Sequence, residues 1–263
     1  MKNAIKKIYN VQPDILKRVA LFATSEYKKA YYYTKSYLSH NRQSTAYVDP
    51  FQIYWISPDA IEQYSTTRFG SRKGPIIKGG SWDTTLEPFD ERPVFESFVQ
   101  RFVHGDSWSE TPSYDRLKNK YGTVDKLMQK EKYGKFIKDL EQVDGIEDGL
   151  KKYDMMHVDM KQEGYKTQRE LRSVSDRLRK PWIPANGVPE YDEINVDVSR
   201  SGEFIWFHGQ HRLALAKILG IERIPVRIRC RHKLWQKKRE RAAINPDSVP
   251  ESLISHVDIP VVE

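Results

Sequence analysis

Hydrophobic and polar positions change their period several times along the chain. Over residues 13–39 the apolar side chains recur at mostly helical spacing, which predicts one long helix or two shorter ones. Ile53–Ile56 is a short apolar run suited to a strand, and Ser57 followed by Pro58 is typical of a helix start. From residue 94 to residue 150 the spacing is helical again, so most of the first half is predicted to be helical.

The second half mixes both periods. Residues 153–162 predict a helix that ends at Gly164, and an extended piece is expected after it. Alternating residues over 194–198 and a second apolar run over 204–207 predict a β-hairpin. Helices and strands in this order predict an α+β protein.

The segment after the hairpin, FHGQHRLALAKILGIERIPVRI (residues 207–228), predicts a strand, a bend at Gly209, a short helix and another strand. Gln210, His211 and Arg212 fall in the first turn of that helix. A first helical turn has backbone N–H groups without partners and a partial positive charge, so it suits an anion. Cationic side chains there oppose the helix dipole unless an anion binds, and a guanidinium matches phosphate oxygens. This joint is predicted to bind phosphate; the alternative is a polar turn at the edge of a core.

Two stretches of the second half resemble one protein superfamily. GQHRLALAKILGIERIPVRI, which begins at Gly209, and VDMKQEGYKTQREL, which contains Gly164 and Gln168, resemble two boxes of the ParB/sulfiredoxin superfamily. This superfamily includes the amino-terminal domains of chromosome-partitioning ParB proteins, sulfiredoxin and an archaeal free-serine kinase. The resemblance covers about residues 150–232 and implies a mixed sheet with helices that binds nucleotide phosphates.

The resemblance also implies a set of binding residues. Gly209, His211 and Arg212 would contact phosphate, and the piece after Gly164 would form the opposite wall. The predicted nucleotide contacts are Gly164, Gln168, His208, Gly209, Gln210, His211 and Arg212. The implied ligand is ATP, ADP or CTP, with Mg²⁺ screening its phosphates.

Departures from the superfamily pattern narrow the expected chemistry. Gln210 stands where sulfiredoxin has its reactive cysteine, and Cys230 falls on a strand facing inward, so reduction of a sulfinic acid is not expected. His208 stands where kinase-like relatives often have an acidic residue before the glycine. A base or metal-binding carboxylate would then come from elsewhere, and the candidates are Asp83, Asp154, Asp159, Glu163 and Asp197.

Asp83 is the carboxylate predicted to be catalytic, together with His211 and Arg212. It lies near the end of a Gly-, Ser- and Thr-rich stretch over residues 66–85, where it could act as a base or hold a metal ion. The alternative is a surface aspartate that caps a turn. No metal site formed by histidines is predicted, because those between residues 157 and 232 have no i, i+4 pair on one helix.

Charge is concentrated at two places in the 263-residue chain, whose net charge is +8. Residues 1–48 hold nine basic residues against two acidic ones, and residues 229–241 hold seven against one. Such segments favour an anionic partner, and solvated helix faces are the alternative. The predicted nucleic-acid strip consists of Arg227, Arg229, Arg231, Lys233, Lys237, Lys238, Arg239 and Arg241, with Trp235 available for stacking.

The single cysteine and the hydropathy of the chain lead to predictions about the cellular compartment of the protein. A single cysteine forms no intramolecular disulfide, which predicts a reducing, cytoplasmic environment. No stretch approaches the roughly 20 apolar residues of a membrane span, so no integral membrane segment is predicted.

These observations divide the chain into four predicted parts. They are a basic helical arm (1–50), a mainly helical region with one glycine-rich loop (51–150), a ParB/sulfiredoxin-like nucleotide-binding domain (151–232) and a basic helix with the tail (233–263). The predicted function is binding of nucleotide phosphates, with phosphoryl transfer, as in a kinase, or nucleotide hydrolysis as the reaction. The alternative is a non-catalytic DNA- or RNA-binding protein with a nucleotide as a switch. An inactive relative that keeps the fold is a third hypothesis.

Overall fold

Seven strands of the described residues form one mixed sheet. The computed structural model describes residues 14–39, 42, 44–67, 69–72, 76–122, 146–171 and 188–260. The strands are β1 (Ile53–Ile56), β2 (Gln63–Ser65), β3 (Ile76–Lys78), β4 (Leu86–Pro88), β5 (Ile194–Val198), β6 (Phe204–His208) and β7 (Ile224–His232). Their order in the sheet is β1-β7-β5-β6-β2-β4, and β3 pairs with β7. The fold is therefore α+β with a mixed sheet, as the sequence predicts.

Eight α-helices of the described ranges accompany this sheet. They are α1 (Asp14–Ser39), α2 (Pro93–Val99), α3 (Pro112–Tyr121), α4 (Lys151–Glu163), α5 (Gln168–Leu171), α6 (Gln210–Ile218), α7 (Lys233–Ile244) and α8 (Glu251–Ile254). The amino-terminal pattern thus gives one long helix, and the helix predicted before Gly164 is α4. Soon after Gly164, where an extended piece is expected, the chain forms the short helix α5. No described helix is long and apolar enough to cross a bilayer.

Strands from both halves of the chain pair with one another. The predicted hairpin is present: β5 and β6 are antiparallel, and β7 lies parallel to β5. β1 pairs with the first part of β7 and β3 with its last part, while β2 lies parallel to β6 and carries β4 at the edge. The prediction of a mainly helical region over residues 51–150 is therefore wrong in its first part, because β1–β4 belong to the sheet. β2, β3 and β4 have three residues each, too few to show a period.

Both faces of the central strands are covered. β5 and β7 are buried at every position, which is typical of strands packed on two sides. On one face, Val196 and Trp206 join the main hydrophobic cluster, which also includes residues of α2, α4 and α6. On the other face, Ile205 and Cys230 pack against Trp82 of the glycine-rich stretch. That stretch therefore covers the sheet and is not a free loop.

Three arginines of β7 are buried inside the protein. Arg227, Arg229 and Arg231 are at most 1% exposed. Arg229 pairs with Asp197 of β5, and Arg231 pairs with Asp258 of the carboxy-terminal tail. Each of these two charges enters the core together with a partner of opposite charge, which makes its burial tolerable.

The predicted nucleic-acid strip is divided by this burial. Arg239 and Trp235 are also buried, and both contact Asp258. Buried guanidinium groups held by protein partners do not reach a phosphate backbone, so the arginines of β7 and Arg239 form no surface strip. Lys233 and Lys237 of the strip are exposed, and so is Arg241.

Candidate functional site

Helix α6 begins without a side-chain cap. Gly209 occupies the N-cap position with φ 90°, and no side-chain hydrogen bond caps this end. A Cβ at this position would lie 3.0 Å from Ile194 Cγ1 and 3.1 Å from Ile194 Cα, so the bend fits against β5 only as a glycine. The first backbone bond at this end runs from Leu213 N to Gly209 O. The N–H groups of the first turn thus point beyond the end of the helix, where an anion would meet them.

A cationic side chain from the glycine-rich stretch lies beside this helix start. The Arg72 guanidinium donates to Nε2 of His208, the last residue of β6, at 3.0 Å. It also donates to the Asp192 carboxylate at 3.0 Å, and 47% of the Arg72 side chain is exposed. Because a guanidinium only donates, His208 Nε2 is the acceptor and carries no proton in this arrangement. An incoming anion could therefore replace Asp192 as the partner of Arg72 from the solvent side.

A second arginine reaches the same helix from the start of α2. Arg92 Nη2 donates to Oε1 of Gln210 at 3.1 Å. Its guanidinium lies 4.3 Å from the ring centroid of Tyr64 and 4.3 Å from that of Trp206, so it stands in cation–π contact with both rings. The two rings fix the position of the charge, and Arg92 adds a positive field at the first turn of α6.

Arg212 occupies a different place from the one predicted. Its guanidinium turns into the protein, where it donates to Glu193 at 3.2 Å and to the Tyr165 hydroxyl at 3.1 Å. It also donates to the backbone carbonyl of Asp192. The expected contact between Arg212 and phosphate therefore needs correcting. Because this side chain neutralises a buried carboxylate, it anchors the helix start to the segment before β5.

Glu193, the carboxylate of this anchor, is 2% exposed. Burial raises its pKa to about 7, against the lowering effect of Arg212 and of the hydrogen bond from Gln168 N. Of two further predicted nucleotide contacts, Gly164 ends α4 and is exposed, whereas Gln168 is buried beside Glu193. A cavity of about 20 Å³ beside Gly164 and Arg212 has room for about one water molecule, so no nucleotide fits there.

His211 is held by aromatic packing. Its ring stacks on Tyr153 of α4 with centroids 4.3 Å apart, and it lies 5.8 Å from the Phe98 ring of α2. The Gln210 side chain contacts both Arg92 and His211. Its Oε1 accepts from Arg92, and its Nε2 is 3.5 Å from Nε2 of His211. The side chains of the first turn are thus fixed relative to one another before any ligand arrives.

Asp83 lies apart from the start of α6. Its carboxylate accepts from Arg200 Nε at 3.0 Å, from Arg200 Nη2 at 2.6 Å and from Arg200 N at 2.8 Å. Burial opposes ionisation, but these hydrogen bonds hold the pKa of Asp83 below its usual value. Arg200 belongs to the turn before β6, whereas His208 ends β6, roughly 15 Å away by strand length. Asp83 is thus a structural carboxylate, and the structure does not bring it to His211 and Arg212 as a catalytic group.

Two other candidate carboxylates are also held by protein partners. Asp154 accepts from Arg101 and from the Trp108 indole, and Asp197 pairs with Arg229. Among the residues that the structure describes, no three or more His, Cys, Asp or Glu side chains are grouped to hold a metal ion.

Sequence reasoning missed the residues that reach the helix start from other parts of the chain. Arg72 is only one of several basic residues in a glycine-rich stretch, and Arg92 belongs to no motif. Asp192 and Glu193 directly precede the predicted hairpin, and this acidic pair is a signal for basic partners at that end of the sheet. The partners could not be assigned, because Asp192 meets a residue 120 positions away.

No family model, no curated protein and no solved structure matches the chain. The likeness of residues 150–232 to the ParB/sulfiredoxin superfamily accordingly stays a prediction. The geometry around α6 and the distribution of surface charge are what a functional proposal has to rest on.

Proposed function

We propose that the protein binds a nucleotide through its phosphates at the start of α6. The observation that carries this proposal is the contact of Arg72 with His208 beside an uncapped first turn. A phosphate placed there would accept from the backbone N–H groups of the turn and from the Arg72 guanidinium, two kinds of donor that suit its oxygens. Arg92 adds positive charge at the same end of the helix.

The balance of charge around the helix start favours an anion. Arg72 and Arg212 face Asp192 and Glu193, while Arg92 and the helix start, which carries roughly half a positive charge, add to the positive side. Burial also favours the neutral form of Glu193, whose pKa is about 7, so part of the negative charge is lost near neutral pH. A ligand with two or more negative charges matches this surplus better than a singly charged one.

The geometry supports a phosphate group, and the nucleoside attached to it comes from the resemblance of residues 150–232. Phosphoryl transfer or nucleotide hydrolysis belongs to the same proposal. Neither Asp192 nor Glu193 is placed as a base, since each faces an arginine. What the described residues do in this proposal is bind and orient the phosphates, with Arg72 and the first-turn amides as the donors.

Titration calorimetry with ATP, ADP, CTP and GTP, each with and without Mg²⁺, tests the proposal directly. We expect Arg72→Gln to weaken binding by roughly tenfold to a hundredfold, since a charge-assisted hydrogen bond contributes about 1.5–3 kcal/mol. Asp192→Asn should strengthen binding, because the ligand then no longer competes with a carboxylate for Arg72. Pyrophosphate serves as a probe of the phosphate contacts alone.

Arg223→Gln is the matched control. This arginine is exposed, donates to the Trp55 carbonyl at 2.8 Å and lies beyond the other end of α6. Equal losses in Arg72→Gln and Arg223→Gln, or no heat with any nucleotide, would overturn the proposal. Nucleotide consumption that is lost in Arg72→Gln would establish the reaction, whereas binding without turnover would identify a binding protein.

A further inference from the structure

Arg227 differs from the other two buried arginines of β7, because it has no carboxylate partner. Arg229 pairs with Asp197 and Arg231 pairs with Asp258, whereas Arg227 forms no ion pair within the part of the chain that the structure describes. Its side chain is 0% exposed. Burial, together with Arg229 and Arg231, lowers the pKa of Arg227 to about 10, so it is charged at neutral pH. A buried charge without a counter-ion is costly for the fold, and stability alone therefore does not account for Arg227.

The guanidinium of Arg227 donates to neutral acceptors from three separate segments. Nε donates to the Pro50 carbonyl at 2.7 Å, and Nη1 donates to the Arg72 carbonyl at 3.0 Å. Nη1 also donates to Oδ1 of Asn195 on β5. Nη2 has no hydrogen-bond partner among the described residues, and the guanidinium lies 4.7 Å from the centroid of the Tyr191 ring. Arg227 thus joins the segment before β1, the glycine-rich stretch and β5.

Asn195 extends these contacts to the segment that carries Asp192. The Asn195 side chain is fully buried. Its Nδ2 donates to the Glu193 carbonyl at 2.6 Å and to the Tyr191 carbonyl at 3.1 Å. Because these two residues flank Asp192, the backbone on both sides of Asp192 is fixed to Asn195 and, through it, to Arg227.

These contacts form a closed ring that includes Arg72. The Arg72 side chain pairs with Asp192, while the Arg72 carbonyl and the backbone around Asp192 are both linked to Arg227. Arg72 lies between β2 and β3 outside any helix or strand. Within the described ranges, the hydrogen bond from Arg227 is the one that its backbone makes. A phosphate that replaces Asp192 would open the side-chain pair but leave this backbone contact in place.

We propose that Arg227 is a positioning residue of the phosphate site, which holds the backbone of Arg72 so that the Arg72 guanidinium stays beside the first turn of α6. This inference rests on the function proposed above. Arg227 is fully buried and acts through Arg72, not by touching the ligand. A residue that is already held loses less conformational freedom on binding, and ordering one residue corresponds to a factor of roughly 5 to 30 in affinity.

A double-mutant cycle between Arg227 and Arg72 tests the proposal, with pyrophosphate binding measured by titration calorimetry on the full chain. Arg227→Met should weaken binding by roughly fivefold to thirtyfold when Arg72 is present. In the Arg72→Gln background the same change should weaken binding by less than about twofold, because the residue through which Arg227 acts is already gone. A loss of the same factor in both backgrounds would overturn the proposal, because it would mean that Arg227 acts on the whole fold or directly on the ligand.

Ile228→Val is the matched control. Ile228 is the next residue of β7, it is 2% exposed, and it belongs to the main hydrophobic cluster. The shorter side chain should lower stability by a small amount. Pyrophosphate affinity should stay within about twofold of wild type, since a destabilised β7 alone does not displace Arg72. A loss of affinity equal to that of Arg227→Met would overturn the proposal.

Backbone dynamics of Arg72 in the unliganded wild-type protein provide a readout that needs neither a variant nor a ligand. The NMR order parameter of the Arg72 N–H should be near 0.85, the value of about a rigid backbone, and a value below about 0.6 would overturn the positioning role. This result separates the two proposals. A rigid Arg72 in a protein that binds no pyrophosphate would contradict the phosphate site and with it this inference, whereas a flexible Arg72 in a protein that does bind would contradict this inference alone.

Discussion

The helices α6 and α7 each begin directly after a strand. A side chain caps the first turn of α7, and no side chain of the N-cap residue caps that of α6. At α7, the His232 side chain accepts from Leu234 N through Nδ1 at 3.1 Å, and its Nε2 lies 3.0 Å from the Gly80 carbonyl. At α6, the corresponding place is Gly209, which has no side chain to offer. Both joints contain histidine and arginine, so their composition is alike. At α6 the N-cap residue therefore caps no first-turn N–H with a side chain, whereas at α7 it does.

The carboxylates behind the two joints differ as well. Behind α7, Arg231 and Arg239 share Asp258, and although burial opposes ionisation, these two cations hold the pKa of Asp258 below its usual value. Behind α6, Glu193 faces Arg212, and burial raises the pKa of Glu193 to about 7. At Asp258 two cationic partners outweigh burial, whereas at Glu193 the single partner Arg212 does not.

The largest loss of stability is expected at Asp258, which pairs with two buried arginines. Asp258→Asn leaves Arg231 and Arg239 buried without their counter-charge, which should lower the free energy of unfolding by about 3–5 kcal/mol. Because the native pKa is lowered, this stability is present above the ordinary pKa of 3.8 and is lost as the pH falls through the native value. Urea unfolding across acidic and neutral pH checks both points. A gap between the two proteins that widens in acid would contradict the assignment.

Gly209→Ala should have the next largest effect and lower the free energy of unfolding by about 2–4 kcal/mol. The left-handed backbone costs about 1–2 kcal/mol for a residue with a Cβ, and the contact with Ile194 adds crowding. Gly220→Ala at the other end of α6 is the control: its φ is 62°, but nothing lies within 4 Å of the added Cβ. Denaturant unfolding should therefore show a smaller loss for Gly220→Ala. Equal losses would mean that the close approach to β5 does not matter.

Arg212→Ala should cost about 2–3 kcal/mol, less than Asp258→Asn, because Glu193 can take up a proton instead of remaining a buried charge. The loss should be smaller below the native pKa of about 7 than above it, where Glu193 is ionised in wild type. Arg212→Met combined with Glu193→Gln should recover part of the stability in thermal unfolding. A variant that keeps full stability but loses nucleotide binding would instead restore Arg212 as a ligand contact.

His232→Ala should have the smallest effect, about 1 kcal/mol, the usual contribution of a helix N-cap. It makes the start of α7 resemble that of α6 in lacking a side-chain cap. Hydrogen exchange of Leu234 N is the sharpest readout, since this group loses its acceptor. Unchanged protection there would show that the imidazole is not what closes α7.

Local signals predicted the elements that depend on neighbouring residues. The hairpin of β5 and β6, the helix α6 and the end of α4 at Gly164 follow from periodicity and glycine positions. β2 and β3 did not follow, because they are three residues long and pair with strands of the other half of the chain. Pairing of that kind leaves no trace in a short window of sequence.

The sequence predicted that the candidate site lies at the start of α6, but it did not predict which residues from other parts of the chain contact that helix start. The bend at Gly209 and the uncapped turn obey local rules, whereas the direction of Arg212 depends on whether a carboxylate lies within reach in the fold. The arginines of β7 make the same point. Their alternation favoured an exposed face, and Phe69 of the glycine-rich stretch and the tail residue Asp258 cover that strand instead.

The position of Asp258 also bears on the order in which the chain matures during synthesis. Arg231 leaves the ribosome 27 residues before its counter-ion does. Until Asp258 is available, the ionised Arg231 guanidinium favours hydration over burial. The end of β7 therefore cannot pack into the sheet with this charge removed from water. Completion of the sheet therefore waits until Asp258 has been translated.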